Sequence, residues 1–244
     1  MYFVDMHIHA LSGVDDGART DNEMYGMIDR AYQAGTRVLC FTPHCAPRYF
    51  GFTREKIEIS FAKACQYMQN HYPDMQAYLG NELQYAREFP DWIRSGQCRT
   101  INGTRYLLLD FSEREKRDSI VRSVRSVLNT GYHPILAHVE RYVDLNRDLD
   151  RIYELKNSGT LLQMDSQSLT GGFGFMVRMA ARRILKEGLI DVISSDAHGV
   201  EGRSPDMRDA YNYVVGRYGV HRAEKLFAKN ALSIIQGYDI REEF

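Results

Sequence analysis

Nine residues whose side chains can bind metal ions are spread over almost the whole chain. They are five histidines, three aspartates and one glutamate: His7, His9, Asp16, His44, Glu82, Asp110, His138, Asp196 and His198. Imidazole nitrogens and carboxylate oxygens together suit divalent transition metals, and such metals activate water for hydrolysis. The pattern therefore indicates metal-dependent hydrolytic chemistry, provided that the fold brings the nine residues to one place.

Two donor pairs have a spacing that favours a shared ion. His7 and His9 are two residues apart, and in an extended strand such residues lie on the same face. Asp196 and His198 repeat this step near the other end of the chain. A lone pair of histidines is more often part of an ordinary strand, but the second pair, and Asp5 just before the first, favour a metal site.

The remaining donors follow apolar segments. Asp15-Asp16-Gly17 by itself is typical of a turn, but its place just after the first predicted strand favours Asp16 as a ligand. The proline of Thr42-Pro43-His44 fixes the backbone that presents the histidine. Asp110 comes directly after three leucines, where a carboxylate is costly to bury unless it is paired or bound to a metal. Glu82 is the candidate for a carboxylate that bridges two ions.

Two arginines are candidates for contact with an anion. Arg141 follows His138 and either pairs with a surface acid or binds phosphate, and the guanidinium fork favours phosphate. Arg203, five residues after His198, is the second. Asp165 is either a further ligand or a residue that only forms hydrogen bonds. The glycine-rich segment 171–174 is interpreted as a flexible lid.

Short apolar runs alternate with amphipathic segments and position these residues. The predicted strands are Tyr2–Met6, Arg37–Phe41, Gln76–Leu79, Arg105–Leu109, Pro134–Ala137, Leu161–Met164 and Asp191–Ser194. The predicted helices cover residues 20–34, 53–70, 88–94, 115–130, 147–158 and 173–187, with two or three more in the last forty residues. Thr20 and Glu23 form a capping-box pattern, and Gly35 marks the end of the first helix.

Seven strands alternating with helices predict a parallel α/β sheet with right-handed crossovers. The length favours a closed barrel, and because no linker divides the chain we expect one domain over residues 1–244. Every candidate ligand lies at or just beyond the carboxyl end of a predicted strand. In a parallel barrel these ends open on one face, so residues almost 190 positions apart can share one pocket.

Composition excludes several classes of protein. The net charge is −1 with scattered lysines and arginines, which disfavours a nucleic-acid partner. No apolar run approaches the ~20 residues of a membrane helix, so no membrane insertion is expected. The four cysteines do not suggest a disulfide framework, and a cytoplasmic location is expected. None has an arginine at the spacing of a cysteine-phosphatase loop.

The motifs HIH, DDG, TPH, GNE, HVER and SDAH resemble the polymerase-and-histidinol-phosphatase (PHP) superfamily. The DDG, HVERY and SDAH segments are most similar to the bacterial metal-dependent protein-tyrosine phosphatases of capsule and exopolysaccharide loci, the CpsB/YwqE type. The resemblance runs from Tyr2 to about Tyr238. It implies a distorted (β/α)7 TIM-like barrel with three divalent ions at the carboxyl ends of the strands, manganese being expected and iron, zinc or cobalt possible.

The resemblance also implies a role for each donor. One ion would be held by His7, His9, Glu82 and Asp196. A second would share Glu82 and add Asp110 and His138. A third would take Asp16, His44 and His198, and the catalytic set would be Arg141, Arg203 and His198. The chain departs from the family at Asp110, where glutamate is usual, and at Asp165, where asparagine is typical.

The expected activity is hydrolysis of phosphotyrosine by a metal-activated hydroxide. Three divalent ions would exceed four carboxylates by about two positive charges, which favours binding of a phosphate dianion. The expected protein substrate is a bacterial tyrosine kinase of capsule or exopolysaccharide biosynthesis. The alternatives are a small-molecule phosphoesterase such as a histidinol-phosphate phosphatase, a metal-stabilised scaffold that binds a kinase, and a nuclease, which the charge balance disfavours. The oligomeric state and the general acid are not written in the residues.

Overall fold

The computed structural model describes residues 1–46 and 53–240, which form a mixed α/β protein with parallel strands. The strands are β1 (Phe3–Ile8), β2 (Thr36–Phe41), β3 (His44–Cys45), β4 (Gln76–Leu79), β5 (Glu82–Gln84), β6 (Tyr106–Asp110), β7 (His133–Leu136), β8 (Leu161–Asp165) and β9 (Val192–Ser194). All recorded strand pairs are parallel, as the alternation of strands and helices predicts.

The strands form two sheets, and the chain alternates between them. One has the order β1-β2-β4 and the other the order β3-β5-β6-β7-β8-β9. The chain passes from the first to the second after Phe41 and again after Leu79, so two of the seven predicted strands are each interrupted and resumed. A bridge between Ile8 and Ala197 joins the last strand segment to β1, which curls the strands round towards each other.

Ten helices accompany the strands in the described residues. They are α1 (Asp21–Ala34), α2 (Arg54–His71), α3 (Phe89–Arg94), α4 (Arg117–Leu128), α5 (Leu149–Asn157), α6 (Ser166–Thr170), α7 (Phe175–Lys186), α8 (Arg208–Tyr218), α9 (Val220–Glu224) and α10 (Asn230–Gln236). A π-helical segment, Lys225–Lys229, connects the last two. The predicted start of α1 is confirmed, because the Thr20 hydroxyl accepts a hydrogen bond from the Glu23 N–H and Gly35 ends the helix with a φ of 102°.

The packing of the C-terminal helix α10 covers one end of the strands. Apolar residues of β1, β2, β6, β7, β8 and β9 form one buried cluster with Ile234 and Ile235 of α10. Asn102, just before β6, donates a hydrogen bond to the Ile235 carbonyl, and Tyr106, the first residue of β6, donates to the Tyr238 carbonyl. The C-terminal helix therefore covers the amino ends of the strands and leaves the carboxyl ends for the loops that carry the candidate ligands.

Several element bounds differ from the prediction. The short helix α6 was not predicted, and β1 extends to Ile8, so that His7 lies inside the strand and not after it. His44 and Glu82 begin short strands of their own instead of following longer ones. The buried side chain of Asn81 explains the second interruption, because it donates to the Pro43 carbonyl at 2.7 Å and accepts from the Arg99 N–H at 2.8 Å.

The expectation that no disulfide forms was wrong. Cys45 of β3 and Cys98, which follows α3, are joined by a disulfide across 53 positions, with the two Cα atoms 5.7 Å apart. Spacing along a sequence does not reveal which distant cysteines the fold brings together. Cys40 is a buried core residue, as its apolar setting predicts. Within the described ranges, no helix combines the length and the apolar character needed to cross a bilayer.

Candidate metal centre

The candidate ligands converge although they come from many elements. His7 and Asp110 lie in the last two positions of their strands, and His138 and Asp196 each lie two residues after a strand ends. His44 and Glu82 are direct partners in the register of β3 and β5. Together with His9, Asp16 and His198 they form one cluster of contacting side chains, which is described below in the three sets that the resemblance implies.

The first group surrounds a point between two imidazoles. The Nε2 atoms of His7 and His9 are 3.2 Å apart. Asp196 Oδ1 lies 3.3 Å from the first of these nitrogens and 3.4 Å from the second. The two carboxylate oxygens of Glu82 contact one imidazole each, at 3.4 and 3.2 Å. The two histidines, Asp196 and Glu82 therefore offer four donors to one position.

The second group shares Glu82 with the first. His138 Nε2 is 2.9 Å from Glu82 Oε1 and 3.5 Å from Asp110 Oδ1. His44 also reaches Glu82, with its Nδ1 atom 2.9 Å from Oε2. The structure thus places Glu82 between neighbouring donor groups, where its two oxygens can contact different ions.

The third group lies nearest the solvent. Asp16 Oδ1 is 3.3 Å from the Nε2 atoms of both His44 and His198. Asp16 is 56% exposed, whereas the carboxylates of Glu82 and Asp196 are 1% exposed. All nine residues that the sequence suggested are therefore found in one cluster.

Two buried polar atoms of this cluster have no hydrogen-bond partner in the described part of the chain. They are Asp196 Oδ1 and His138 Nδ1. A buried polar atom without a partner costs free energy, and metal coordination is a common compensation. The oxygen of Asp196 faces two imidazole nitrogens that also face each other, so the donors fit a divalent cation.

The charges of the metal-free cluster are tightly balanced. Burial alone would lower the pKa of His7, but the carboxylates of Glu82 and Asp196 raise it to about 10. In the same way the pKa of His44 rises to about 11 and that of His138 to about 9. The imidazoles in turn hold the pKa of Glu82 well below its ordinary value, against the effect of burial. Protons on the histidines thus occupy the place that a metal would take.

Two residues that the sequence reasoning missed hold the imidazole rings. Asp15 Oδ2 accepts a hydrogen bond from His9 Nδ1 at 2.7 Å and from the His44 N–H at 3.0 Å. Gln163 Oε1 lies 3.3 Å from His7 Nδ1 and accepts from the His138 N–H at 2.7 Å. Such partners fix ring orientation and leave the Nε2 atoms of His7 and His9 to face the ion. The signal for Gln163 was a polar side chain between the apolar residues Leu162 and Met164 of β8.

The third residue of the Asp-Asp-Gly segment, Gly17, is needed for close packing of the loop. A Cβ atom at this position would lie 1.8 Å from the His9 carbonyl oxygen. The loop can approach the first strand this closely only with glycine. The close approach brings Asp15 into contact with His9 Nδ1 and Asp16 into contact with His44 Nε2.

The two candidate arginines lie at the edge of the cluster. Arg141 donates to Asp196 Oδ2 at 3.1 Å and to the exposed Glu113 at 2.8 Å, so it pairs with a surface acid and also reaches the donor cluster. Arg203 also donates to Asp196 Oδ2. The ring of Phe173 lies 5.0 Å from the guanidinium carbon of Arg141 and 5.7 Å from that of Arg203. The glycine-rich segment therefore lies at the mouth of the cluster.

Asp165 forms hydrogen bonds outside the three donor groups. Its Oδ1 atom accepts from Gln163 Nε2 at 3.0 Å, and its Oδ2 atom lies 3.5 Å from Arg141. Burial and the charge of Asp196 raise its pKa to about 6. The sequence left open whether Asp165 is a further ligand or only forms hydrogen bonds, and in the structure it forms hydrogen bonds.

Two of the candidate ligands adopt a backbone conformation that residues other than glycine rarely take. The φ angles are 33° at His138 and 48° at Asp196. Non-glycine residues in this left-handed region are uncommon and are often found at functional sites. The conformation turns both side chains back towards the cluster directly after their strands end.

Parallel strands curled into a partial barrel, with a cluster of buried imidazole and carboxylate groups that could hold metal ions, define the class of this α/β protein. The chain belongs to the family described as capsular polysaccharide synthesis, CpsB/CapC, which it matches over residues 3–236.

Relatives of known name support this assignment. The tyrosine-protein phosphatase CpsB of Streptococcus agalactiae serotype III (strain NEM316) is 29% identical over 242 residues, covering 97% of this chain and 100% of that protein. The tyrosine-protein phosphatase YwqE of Bacillus subtilis (strain 168) is 24% identical over 220 residues, covering 88% and 85%.

A solved structure from the pair YwqE of Bacillus subtilis and CpsB of Streptococcus pneumoniae, described as unique metal-dependent tyrosine phosphatases, has the same fold. Its TM-score is 0.89 at 24% identity, and the match covers 97% of this chain and 96% of that one.

Proposed function

We propose that this protein is a metal-dependent tyrosine-protein phosphatase that acts on a tyrosine kinase of capsule or exopolysaccharide biosynthesis in the cytoplasm. The observation that carries the proposal is the convergence of nine metal-binding side chains and two arginines at one end of the sheet. Membership of the CpsB/CapC family and the names of the relatives support the substrate class.

The proposal includes a finer account of the architecture. Residues 1–244 would form one domain, a distorted barrel of seven β/α units in which each interrupted strand counts once. The metal site would lie at the carboxyl ends of the strands. The bridge between Ile8 and Ala197 supports the closure of the barrel. The packing of α10 over the amino ends of the strands supports a metal site at their carboxyl ends.

Three divalent ions, manganese being expected, would occupy the three donor groups. His7, His9, Glu82 and Asp196 would hold the first. Glu82, Asp110 and His138 would hold the second, and Asp16, His44 and His198 the third. The short contact of His44 Nδ1 with Glu82 brings the second and third groups together at this ring.

The residues around the donors suit hydrolysis of an aryl phosphate. When bound, divalent ions would supply a nucleophile from water at neutral pH and positive charge for the phosphoryl oxygens. Arg141 and Arg203 present guanidinium groups that match two phosphate oxygens each. Phe173 beside them offers a ring face to a tyrosyl group. A tyrosine leaving group, with a pKa of about 10, needs less protonation than an alkyl alcohol.

Metal reconstitution tests the proposal. Protein stripped of metal and reloaded with Mn²⁺ is expected to hydrolyse a phosphotyrosine peptide and to prefer it to histidinol phosphate. His7→Ala should abolish turnover, and Arg141→Ala should raise KM for the peptide because a phosphate contact is lost. His221→Ala, on the exposed part of α9, is the matched control and should behave as the wild type.

Other results would overturn the assignment. A strong preference for histidinol phosphate would make the protein a small-molecule phosphatase. Failure of fully loaded protein to hydrolyse any phosphate ester would favour a scaffold that binds a kinase.

A further inference from the structure

A groove of about 850 Å³ lies beside the donor cluster, along helix α7. We call it the basic groove and define it by Arg147, Met176, Met179, Arg183, Lys186 and Arg217, which line it. The donor groups use none of these six residues. The groove is therefore a separate feature of the surface, which the metal chemistry does not explain.

The groove concentrates positive charge on a protein whose net charge is −1. Arg147, Arg183, Lys186 and Arg217 are exposed, and none of them forms an ion pair with an acid in residues 1–46 or 53–240. Elsewhere on the surface some basic residues do have such a partner, as Arg125 has in Glu154 and Arg54 has in Glu58. Arg183 donates a hydrogen bond to the Asn146 carbonyl. Four cations without an acidic partner around one concave surface create a positive potential that attracts negatively charged groups.

A single acidic residue lines the groove, and it does not compensate this charge. Glu140 is 1% exposed and its carboxylate turns inward. Its Oε1 atom accepts hydrogen bonds from the Asp165 N–H at 2.9 Å and from the Ser168 hydroxyl at 2.6 Å. The accessible wall of the groove is therefore cationic.

The same wall exposes large apolar side chains. Met176 is 77% exposed and Met179 is 51% exposed, on successive turns of α7. Exposed apolar side chains grouped together often mark binding surfaces, and methionine adapts its shape to varied partners. A ligand that fits would combine negative charge with apolar groups, as an acidic peptide does.

The groove is continuous with the candidate active site through one residue. Arg141 lines the groove and also donates to Asp196 of the donor cluster. A chain with its phosphotyrosine at the metal ions would thus pass Arg141 and enter the groove with its neighbouring residues.

We propose that the basic groove binds an acidic segment that flanks the phosphotyrosine of a protein substrate. The inference rests on the proposed phosphatase function and adds a substrate preference to it. A concave, partly apolar site suits an extended peptide better than the flat surface of a membrane.

Paired peptides test the inference. One synthetic phosphotyrosine peptide carries glutamates on both flanks, and the other carries glutamines at the same positions. The Mn²⁺-loaded wild type is expected to show a kcat/KM about tenfold higher for the glutamate peptide, because rim charges increase the rate of association. This ratio should fall as salt is added.

Charge reversal locates the effect. In the variant Arg183→Glu/Lys186→Glu the ratio of the two kcat/KM values is expected to fall to about one or below. The control Arg105→Glu/Arg122→Glu makes the same change of charge at exposed positions outside the groove and should keep the wild-type ratio. Equal ratios in the two double variants, or no preference in the wild type, would overturn the inference.

A binding measurement separates this inference from the proposed function. The same peptides carrying a non-hydrolysable phosphonate in place of phosphate are followed by fluorescence anisotropy. If the protein hydrolyses neither phosphopeptide, the phosphatase function fails, and the groove is judged by this affinity ratio alone. Binding of phosphatidylserine vesicles that depends on Arg183 and Lys186, without any peptide preference, would assign the groove to a membrane surface and overturn the inference.

Discussion

Two aspartates at opposite ends of strand β9 have very different surroundings. Asp191, just before the strand, binds the Lys156 ammonium and accepts a hydrogen bond from the Leu162 N–H at 2.8 Å. Asp196, two residues after the strand, contacts arginines with one oxygen, while its other oxygen faces His7 and His9 and forms no hydrogen bond in the described residues. Both residues are buried, and only the first is satisfied by the protein.

This difference in hydrogen-bond partners distinguishes Asp191, which stabilises the fold, from Asp196, which is available to bind a cation. A buried carboxylate with complete partners supports its surroundings, whereas removing one partner leaves an uncompensated group. The carboxylate of Asp196 is incomplete until a cation binds. Burial and charge are similar for the two residues, so completeness of partners is the property that distinguishes them.

Exchanging each aspartate for asparagine should give the largest contrast. Asp196→Asn is expected to lower phosphatase activity on the order of a thousandfold, because a charged ligand is lost at the point where two imidazoles meet. Asp191→Asn should keep activity and lower the free energy of unfolding by about 2 kcal/mol, because Lys156 loses its charged partner. Activity assays, metal content by mass spectrometry and denaturant titration measure these effects. Similar metal content in the two variants would contradict the comparison.

Gln163 tests whether the donors depend on their supports. Gln163→Leu removes the acceptor of His7 Nδ1 and of the His138 N–H while keeping an apolar volume in β8. We expect metal affinity to fall about 10- to 100-fold, which is the usual effect of losing an outer partner. Gln167→Leu in α6, whose amide donates to the Gly202 carbonyl outside the cluster, is the matched control and should keep wild-type affinity. Competition with a chelator measures both values.

The pH should affect metal affinity and the stability of the metal-free fold in opposite directions. The pKa of His7 rises from its ordinary 6.5 to about 10 and that of His138 to about 9 in the metal-free protein. Below these values a metal must displace protons, so metal affinity should increase as the pH rises from 6.5 towards 9.

The stabilisation of the metal-free fold by these histidines has the opposite dependence. It is complete below pH 6.5 and is lost as the pH rises through 9 to 10, because the raised pKa favours the protonated folded state. Calorimetry in two buffers of different ionisation enthalpy should detect proton release when Mn²⁺ binds at pH 7. Binding without proton release would mean that the histidines are already neutral.

The smallest effect is expected at Asp110. Its carboxylate is 3.5 Å from His138 Nε2, and Tyr142 donates a hydrogen bond to it at 3.4 Å. Asp110→Glu restores the residue usual in the resembled family and adds one methylene of reach. We expect the affinity of the weakest-bound ion to rise by less than about tenfold. A loss of affinity would show that this chain is adapted to the shorter side chain.

The residue pattern predicted the fold well where a strand or helix has a regular period. The seven strands and the helix at 115–130 were predicted from periodicity, and Ile120, Val124 and Val127 on one side of α4 are fully buried. The interruption before Glu82 could not be predicted, because it depends on Asn81, whose side chain forms hydrogen bonds with the Pro43 carbonyl and the Arg99 N–H.

The site was predictable for the residues that face the ion and not for those behind them. Histidine and carboxylate at two-residue steps are a local signal, and those donors converge as expected. Gln163 is 156 positions from His7, and Cys98 is 53 positions from Cys45. Such pairs are set by strand register and loop path, which single-chain patterns do not encode.

The left-handed conformations at His138 and Asp196 bear on how this protein can evolve. The left-handed backbone costs histidine and aspartate on the order of 1 kcal/mol of folding free energy at each position. Glycine would adopt the same angles with less strain. A library screened only for resistance to heat should therefore enrich glycine or asparagine at these two positions, whereas a library screened for turnover should keep the native pair. On this expectation the two residues weaken the fold slightly and are explained only by the donor cluster that they join.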